Sequence, residues 1–432
     1  MNDKCGIICE YNPFHNGHAH HIQKTREYLN SLSSTKINGD GNRINSGNHS
    51  HIVCVMSGDF VQRAEPAVFD KRVRAAAAVR AGADAVIELP AVYATAGGEQ
   101  FARGAVQILS QIQGMRYLSF GAETDRPELL EVIADIQLKE SALFKTVLKE
   151  SLRSGENYPV AITKATIAEF ENLSCKNKKQ NPLISFSDPS TTISGNIKNL
   201  ISQILKAPNN VLGIEYLKAI KRKKLNIKPI YIKRTDRGYN SPELIPPFAS
   251  ASAIRTLIAA GKQYIKFTPY DYGKNIVDFD LFDAIVRTAL LTKYPPPSDL
   301  ALSADIFDRL KKAAVKHSKL DNIIMSEKSK NYTYAALKRF CLQIMCDITC
   351  EILDYDGEIP AKLLYMKKTF KPHLKDLDAN ILITFADEKR LLANCASSLT
   401  SSKIYNLDKK ASDLYSVITR QKSSRHFDRF YE

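Results

Sequence analysis

KCGIICEYNPFHNGHAHH, residues 4–21, opens with a short apolar run, passes a proline and a glycine, and enters a helical pattern. Lys4 to Glu10 reads as a strand and His18 to Leu32 as a helix, with a tight connection between them. A helix N-terminus carries unpaired N–H groups and a partial positive charge, which together attract phosphate. His15 and His18 stand three apart, so both imidazoles reach one side of the first turn. Gly17 between them removes a side chain where a nucleotide must lie against the backbone. Imidazole N–H groups placed there can donate to phosphate oxygens as charge builds during attack at phosphorus. In such chemistry the protein positions groups and stabilises charge more than it reacts itself. Two other readings stay open at this point: a capped helix start with solvated histidines, and a metal site made from His15, His18, His20 and His21.

Working outward, the same alternation continues. Apolar runs at His51–Met56, Ala83–Leu89 and Met115–Phe120 read as further strands. Helical patterns at Ala67–Ala81, stopped by Gly82, and at Gly98–Gln111 separate them. Strands and helices at this spacing predict an α/β fold with a doubly wound parallel sheet. Ligands of such sheets sit beyond the carboxyl ends of the strands, at the topological switch point. That rule directs attention to Glu10–His18, Ser57–Arg63, Pro90–Ala96 and Gly121–Glu123. The Ser-, Asn- and Gly-rich stretch 31–50 has little to bury and reads as an inserted surface loop. Residues 127–205 read as a helical excursion, followed by a helix from Pro208 to Lys224, a strand at Asn226–Lys233 and a helix at Ala249–Ala260. Tyr294-Pro295-Pro296-Pro297-Ser298 is a stiff linker signal. Beyond it the pattern is mainly helical, with one short strand at Ala379–Phe385. The expected division is an α/β domain over 1–265 and a mainly α-helical domain over 266–432.

The chain of 432 residues is long enough for two or three domains and a large core. Lys plus Arg number 61 against 46 for Asp plus Glu, a net charge of +15, which points to a polyanionic partner such as nucleic acid. No apolar run nears the roughly 18 residues of a membrane span, and the N-terminus lacks the pattern of a signal peptide. A soluble cytoplasmic protein is therefore expected. The eight cysteines include no paired C-x-x-C units, so neither a disulfide framework nor a structural zinc site is expected.

EYNPFHNGH after the first strand, SGDFVQRAEP after the second, ADAVIELP as the third and FGAE after the fourth are similar to the tRNA(Met) cytidine acetate ligases. PNNVLGIEYLKAI and FASASAIR continue the resemblance, which runs in order from residue 7 to about 255. It implies a Rossmann-like nucleotidyltransferase domain of the HIGH type. It implies that acetate is activated with ATP as acetyl-adenylate, releasing pyrophosphate. The acetyl group then passes to the exocyclic amine of the wobble cytidine of elongator tRNA(Met), giving N4-acetylcytidine. It also implies an ATP site made of Ile8, Cys9, Glu10, Tyr11, Asn12, Pro13, Phe14, His15, Asn16, Gly17, His18, Ala19, His20 and His21 with Gly121, Asn209 or Asn210, and Arg234. Mg²⁺ is expected to neutralise the pyrophosphate, and no metal held by the protein alone is expected.

Each of these residues also has its own reading. Gly121 follows the fourth strand, where a missing side chain would admit the adenosine; a plain turn glycine is the alternative. Asn209 and Asn210 follow Pro208 and are placed to cap a helix. Arg234 can pair with phosphate or stand as a surface charge. Ser250 and Ser252 to Arg255 fall where related nucleotidyltransferases carry a second phosphate-binding loop. Gln62 and Arg63 lie after the second strand, where they can meet acetate, pyrophosphate or cytidine; Asp59 on the same loop is a candidate base, metal partner or substrate contact, with a solvated loop acid as the alternative. Ala64 stands where the motif calls for glycine. Lys218–Arg234 holds eight basic residues and no acid, among them Lys221, Arg222, Lys223 and Lys224, and suits phosphate-backbone contact. The aromatics of YMKKTFKPHLK are candidates for stacking on unpaired RNA bases, with ordinary core packing as the alternative. Two rival functions follow from the same residues: an adenylyltransferase acting on a small phosphorylated substrate, and a non-catalytic RNA-binding module.

Overall fold

The structure is a computed structural model that describes residues 3–34, 50–176, 193–234, 246–274, 276–293, 304–330, 332–393 and 399–421. Its strands are β1 (Lys4–Cys9), β2 (His51–Ser57), β3 (Phe60–Val61), β4 (Glu65–Pro66), β5 (Ala85–Leu89), β6 (Met115–Ala122), β7 (Lys228–Lys233), β8 (Ala361–Met366) and β9 (Ile381–Leu382). The helices up to β7 are α1 (Asn16–Ser34), α2 (Lys71–Arg80), α3 (Ala91–Ala94), α4 (Gly98–Ser110), α5 (Glu128–Lys139), α6 (Ala142–Arg153), α7 (Tyr158–Lys176), α8 (Ile193–Lys206) and α9 (Pro208–Arg222). After β7 come α10 (Ala251–Ala259), α11 (Phe279–Thr292), α12 (Ala304–Lys316), α13 (Leu320–Glu327), α14 (Tyr334–Cys346), α15 (Cys350–Leu353), α16 (Phe385–Ala393) and α17 (Leu399–Thr419).

Seven strands form one sheet in the order β7-β6-β1-β2-β5-β8-β9. The first five of these pair in parallel. Counted in chain order, β1, β2, β5, β6 and β7 give the doubly wound order 3-2-1-4-5, whose direction of winding reverses between β1 and β6. Period-two alternation explains why both faces are covered. Ile8, Val53, Val55, Ala85 and Ile87 pack into the core on one face, with α4 and α5. Cys5, Ile7, Ile52, Cys54, Met56 and Val86 pack on the other, with Ile22 and Leu29 of α1 and Ala75, Ala78 and Val79 of α2.

The five parallel strands lie where the sequence predicts them. Three features differ from expectation. β6 runs on through Gly121 to Ala122, so Gly121 is inside the strand and not after it. The expected strand at 379–385 shrinks to the two residues of β9. β8, which periodicity does not single out, pairs antiparallel with β5 and carries the chain beyond residue 266 back onto the sheet. The first helix extends through Ser34, and the rest of the polar stretch 31–50 lies, but for Ser50, outside the described residues, as does the proline run 294–298. Among the described residues no helix is long and apolar enough to cross a membrane.

Candidate active site

A pocket opens at the switch point, beyond the ends of β1 and β6. Residues of three helix starts line it: His15, Gly17 and His18 at α1, Asn209 and Leu212 at α9, and Ser250, Ala251 and Ser252 at α10. Three converging helix N-termini place unpaired N–H groups and partial positive charge around one volume. Ser250 caps α10, its Oγ accepting from the Ala253 N–H at 3.1 Å. The Asn pair does not cap α9, whose cap residue is Ala207, because Pro208 takes the first helical position. Instead Asn210 Oδ1 accepts from the Glu123 N–H at 2.8 Å, and Asn209 donates to the Glu123 carboxylate. Asn209 lines the pocket and Asn210 is buried behind it.

The connection from β1 to α1 fixes the two imidazoles. His15 and His18 stack with ring centroids 3.6 Å apart, and His18 also packs against Tyr11 and Phe14. His15 Nδ1 accepts from the Gly17 N–H at 3.1 Å, and His18 Nδ1 accepts from the His15 N–H at 3.3 Å. Each ring in its neutral form then carries its proton on Nε2, so each presents a donor. Burial, then the neighbouring His15, Arg234 and His21, holds the His18 imidazole well below its usual range, so it stays neutral. Burial, with Arg234 and His20, does the same for His21, pushed down to about 4; its Nε2 meets Ser119 Oγ at 2.9 Å. Gly17 is required here: a Cβ on it would fall 2.9 Å from His15 Cε1.

Several expected residues serve the site from behind. Asn16 donates to the Pro247 carbonyl at 2.8 Å and so ties α1 to the segment before α10. Phe14 is fully buried, its carbonyl accepting from Tyr272 Oη at 3.0 Å. Pro13 and Ala19 do not line the pocket, whereas Ile8, Cys9, Glu10, Tyr11, Asn12, His20 and His21 do. Asn12 accepts from the Val68 N–H at 2.9 Å, while its buried Nδ2 has no partner among the described residues. The unexpected contributor is Arg74, fully buried, which donates to the carbonyls of Glu10 at 2.7 Å, Ser57 at 3.0 Å and Phe69 at 3.0 Å. It locks the ends of β1 and β2 together, and as one arginine in an Ala-rich helix it gives no sign of this in the sequence.

On the β6 side Arg234 crosses the strand. A Cβ on Gly121 would lie 3.1 Å from Arg234 Cγ, so the missing side chain makes way for the arginine stem. Arg234 Nη1 donates to Asn209 Oδ1 at 3.3 Å. Phe101, Phe120, Leu212 and Tyr216 form an apolar wall that sequence reading missed, because they come from three separate elements and look like core residues. Gln62 and Arg63 reach the rim on the β3–β4 hairpin. Its loop has three residues, and the third, Ala64, has φ 55 and a 2.8 Å bond from its N–H to the Val61 carbonyl. Such hairpins favour glycine at that left-handed position, which accounts for the glycine expected there and makes Ala64 a strained substitute at a cost of ~1 kcal/mol.

Three groups of candidate substrate- or RNA-contact residues lie away from the pocket. Asp59 is 3% exposed and sits in a closed ion network, its Oδ2 2.8 Å from Lys71 Nζ and 2.7 Å from Ser412 Oγ. Lys221, Arg222 and Lys223 lie at the far end of α9, about 20 Å along the helix from Asn209 at 1.5 Å per residue, paired with Asp135, Glu99 and Asp356. Lys224 closes that helix at φ 51. Tyr365 and Phe370 of the YMKKTFKPHLK stretch are buried at 8% and 0% exposure, so the core reading holds for both. Ser252 and Arg255 do line the pocket; Arg255 donates to the Asn12 carbonyl at 2.8 Å and lies 3.5 Å from Glu65. Among the described residues no three His, Cys, Asp or Glu side chains converge as metal ligands.

The HIGH Nucleotidyl Transferase family model matches residues 2–37 and 42–429. The chain is 32% identical to the tRNA(Met) cytidine acetate ligase of Caldanaerobacter subterraneus, covering 99% of this chain and 98% of the relative. It is 32% identical to the enzyme of that name from Halothermothrix orenii, over 97% and 96% of the two chains. Crystal structures of Thermotoga maritima TmcAL share the fold: an apo form with TM-score 0.82 and 24% identity over 99% of each chain, and a form bound with alpha-thio ATP with TM-score 0.77 and 23% identity over 100% of each. The chain thus belongs to the HIGH nucleotidyl transferases and, within them, to the tRNA(Met) cytidine acetate ligase family.

Proposed function

We propose that the chain is an ATP-dependent ligase that makes acetyl-adenylate from acetate and ATP, and passes the acetyl group to the wobble cytidine of elongator tRNA(Met). The observation that carries this reading is the convergence of the α1, α9 and α10 starts on a pocket lined by His15 and His18, whose Nδ1 atoms each accept a backbone N–H. Neutral imidazole donors and helix N-termini suit a polyphosphate whose negative charge shifts during attack at the α-phosphorus. Arg234 and Asn209 on one side, and Arg63, Ser252 and Arg255 on the other, would hold the remaining phosphate oxygens. The apolar wall of Phe120, Leu212 and Tyr216 would take the adenosine. Mg²⁺ would come with the nucleotide, since it is commonly held by phosphate oxygens and few protein groups.

In the first half-reaction an acetate oxygen attacks the α-phosphorus and pyrophosphate leaves. In the second, the cytidine amine attacks the acetyl carbon and AMP leaves. The target base must leave its stack to reach a pocket at the sheet's edge. The +15 net charge would draw the RNA to the surface, and a tRNA substrate would place the chain in the cytoplasm. Three of the four residues Lys221–Lys224 already face an acid, so they would add little to that attraction unless the pairs open on binding. The test is incubation with labelled acetate, ATP and bulk tRNA. Acid-stable label in tRNA(Met), dependent on ATP, is expected. Turnover of ATP onto a small phosphorylated substrate with no tRNA label would favour an adenylyltransferase instead.

A further inference from the structure

Among the described residues, eight basic or imidazole side chains line the pocket, namely His15, His18, His20, His21, Arg63, Lys233, Arg234 and Arg255, against a single carboxylate, Glu10. A carboxylate repels triphosphate, so its place in a phosphate pocket asks for another partner. Glu10 directly follows β1 at the switch point, its backbone carbonyl tied down by Arg74. Its Oε1 accepts from the Gln62 N–H at 2.5 Å, while its Oε2 makes no hydrogen bond or ion pair with any described residue. Arg63 and Arg255 are close enough to act on its charge, yet neither closes on it as an ion pair. The result is a carboxylate held from one side, with one oxygen left to face a ligand.

The ligase reading contains a group of the matching kind. A cytosine N4 amine presents N–H donors, and a carboxylate is a matched acceptor for them. The imidazoles of His15 and His18 are poorly suited to the same task, since in their neutral forms Nδ1 is occupied and Nε2 carries the proton. We propose, on the basis of that reading, that Glu10 is the catalytic base of the transfer step. Its Oε2 accepts a hydrogen bond from the N4 amine of the target cytidine. As N4 bonds to the acetyl carbon, the acyl C–O bond to AMP breaks, AMP leaves with the electron pair, and the N4 proton passes to Glu10. The transfer needs no further reactant. Burial raises the Glu10 carboxyl above its ordinary range, with the Gln62 N–H, Arg255 and Arg63 working the other way, which makes it a better proton acceptor than a solvated glutamate.

The test separates the two half-reactions of the full-length enzyme. Acetate-dependent exchange of labelled pyrophosphate into ATP reads the first. Single-turnover transfer of acetyl to a tRNA(Met) transcript reads the second. Glu10→Gln keeps an oxygen for the Gln62 N–H and removes the base. Its ratio of transfer to exchange should fall about a hundredfold or more, and the acidic limb of the transfer pH profile, where the base becomes protonated, should flatten. Glu10→Asp, a carboxylate set back by one methylene, should fall between the two and keep the limb. The proposal is overturned if exchange and transfer decline in proportion, or if the KM for ATP rises while the limb survives, which would make Glu10 a reader of the adenine amine. Wild-type protein showing neither exchange nor labelled tRNA would overturn the ligase reading itself, and the role of Glu10 with it.

Discussion

At the carboxyl edge of the sheet, β1 and β6 end on an open pocket, whereas β2 and β5, with the start of β8 beside them, end on an equally charged set closed under α17. In the closed half, Lys71 Nζ lies 2.8 Å from Asp59, 2.6 Å from Glu88 and 3.0 Å from Ser412 Oγ, and Lys362 Nζ lies 2.8 Å from Asp408. Three carboxyls and two ammonium groups pair with one another there, although Asp59 Oδ1 and Glu88 Oε2 make no hydrogen bond with any described residue. Burial works to discharge Lys71, but Asp59, Glu88 and Asp408 outweigh it and keep the ammonium charged. Burial, then Asp408, holds the Glu88 carboxyl above its usual range. In the open half the cations have one carboxylate among them, counting the described residues. Charge that is mutually compensated serves the fold, and charge left over serves a ligand.

The largest effect that would break this contrast is on stability. Lys71→Met should leave three buried carboxyls with Lys362 alone and lower unfolding stability by about 3–5 kcal/mol, read from the denaturant midpoint. A loss below ~1 kcal/mol would mean the closed network is not what holds α17 to the sheet. His18→Ala comes next. It should reduce acetate-dependent pyrophosphate exchange by about 10²–10³-fold with a smaller change in stability than Lys71→Met. If stability collapses instead, His18 belongs with the closed half. The smallest effect is a pH dependence. His21 is neutral above pH 6.5 in both folded and unfolded chains; below it the unfolded chain takes up a proton that the folded one, with a pKa of about 4, refuses. Stability should therefore drop as pH falls from 6.5 towards 4, with His18 and His51 contributing in the same sense. His21→Asn should reduce that slope by up to one proton, ~1.4 kcal/mol per pH unit; an unchanged slope would show that burial does not suppress its charge.

The parallel sheet and the pocket-lining turn after β1 were legible because they rest on local pattern. Apolar runs such as His51–Met56 are buried on both faces and read continuously, and the EYNPFHNGH turn carries its proline, glycine and histidines within a few residues. The same locality explains why Gln62, Arg63 and Arg255 were found and why Ala64 stood out. A charge run is only half read from sequence, since a basic stretch does not show that Asp135, Glu99 and Asp356 pair with it across the fold.

The sequence by itself determined the strand–helix alternation, the place of the switch point and the identity of the histidine-bearing turn that lines the pocket, because each depends on residues near one another in the chain. Only the tertiary structure decided that Asp59 is sealed against Lys71 and Ser412, that Arg74 clamps the ends of β1 and β2, and that Gly121 yields its space to Arg234. Those outcomes depend on groups separated by up to 353 positions, as Asp59 and Ser412 are. Whether a charge is used or cancelled is settled by what packs against it.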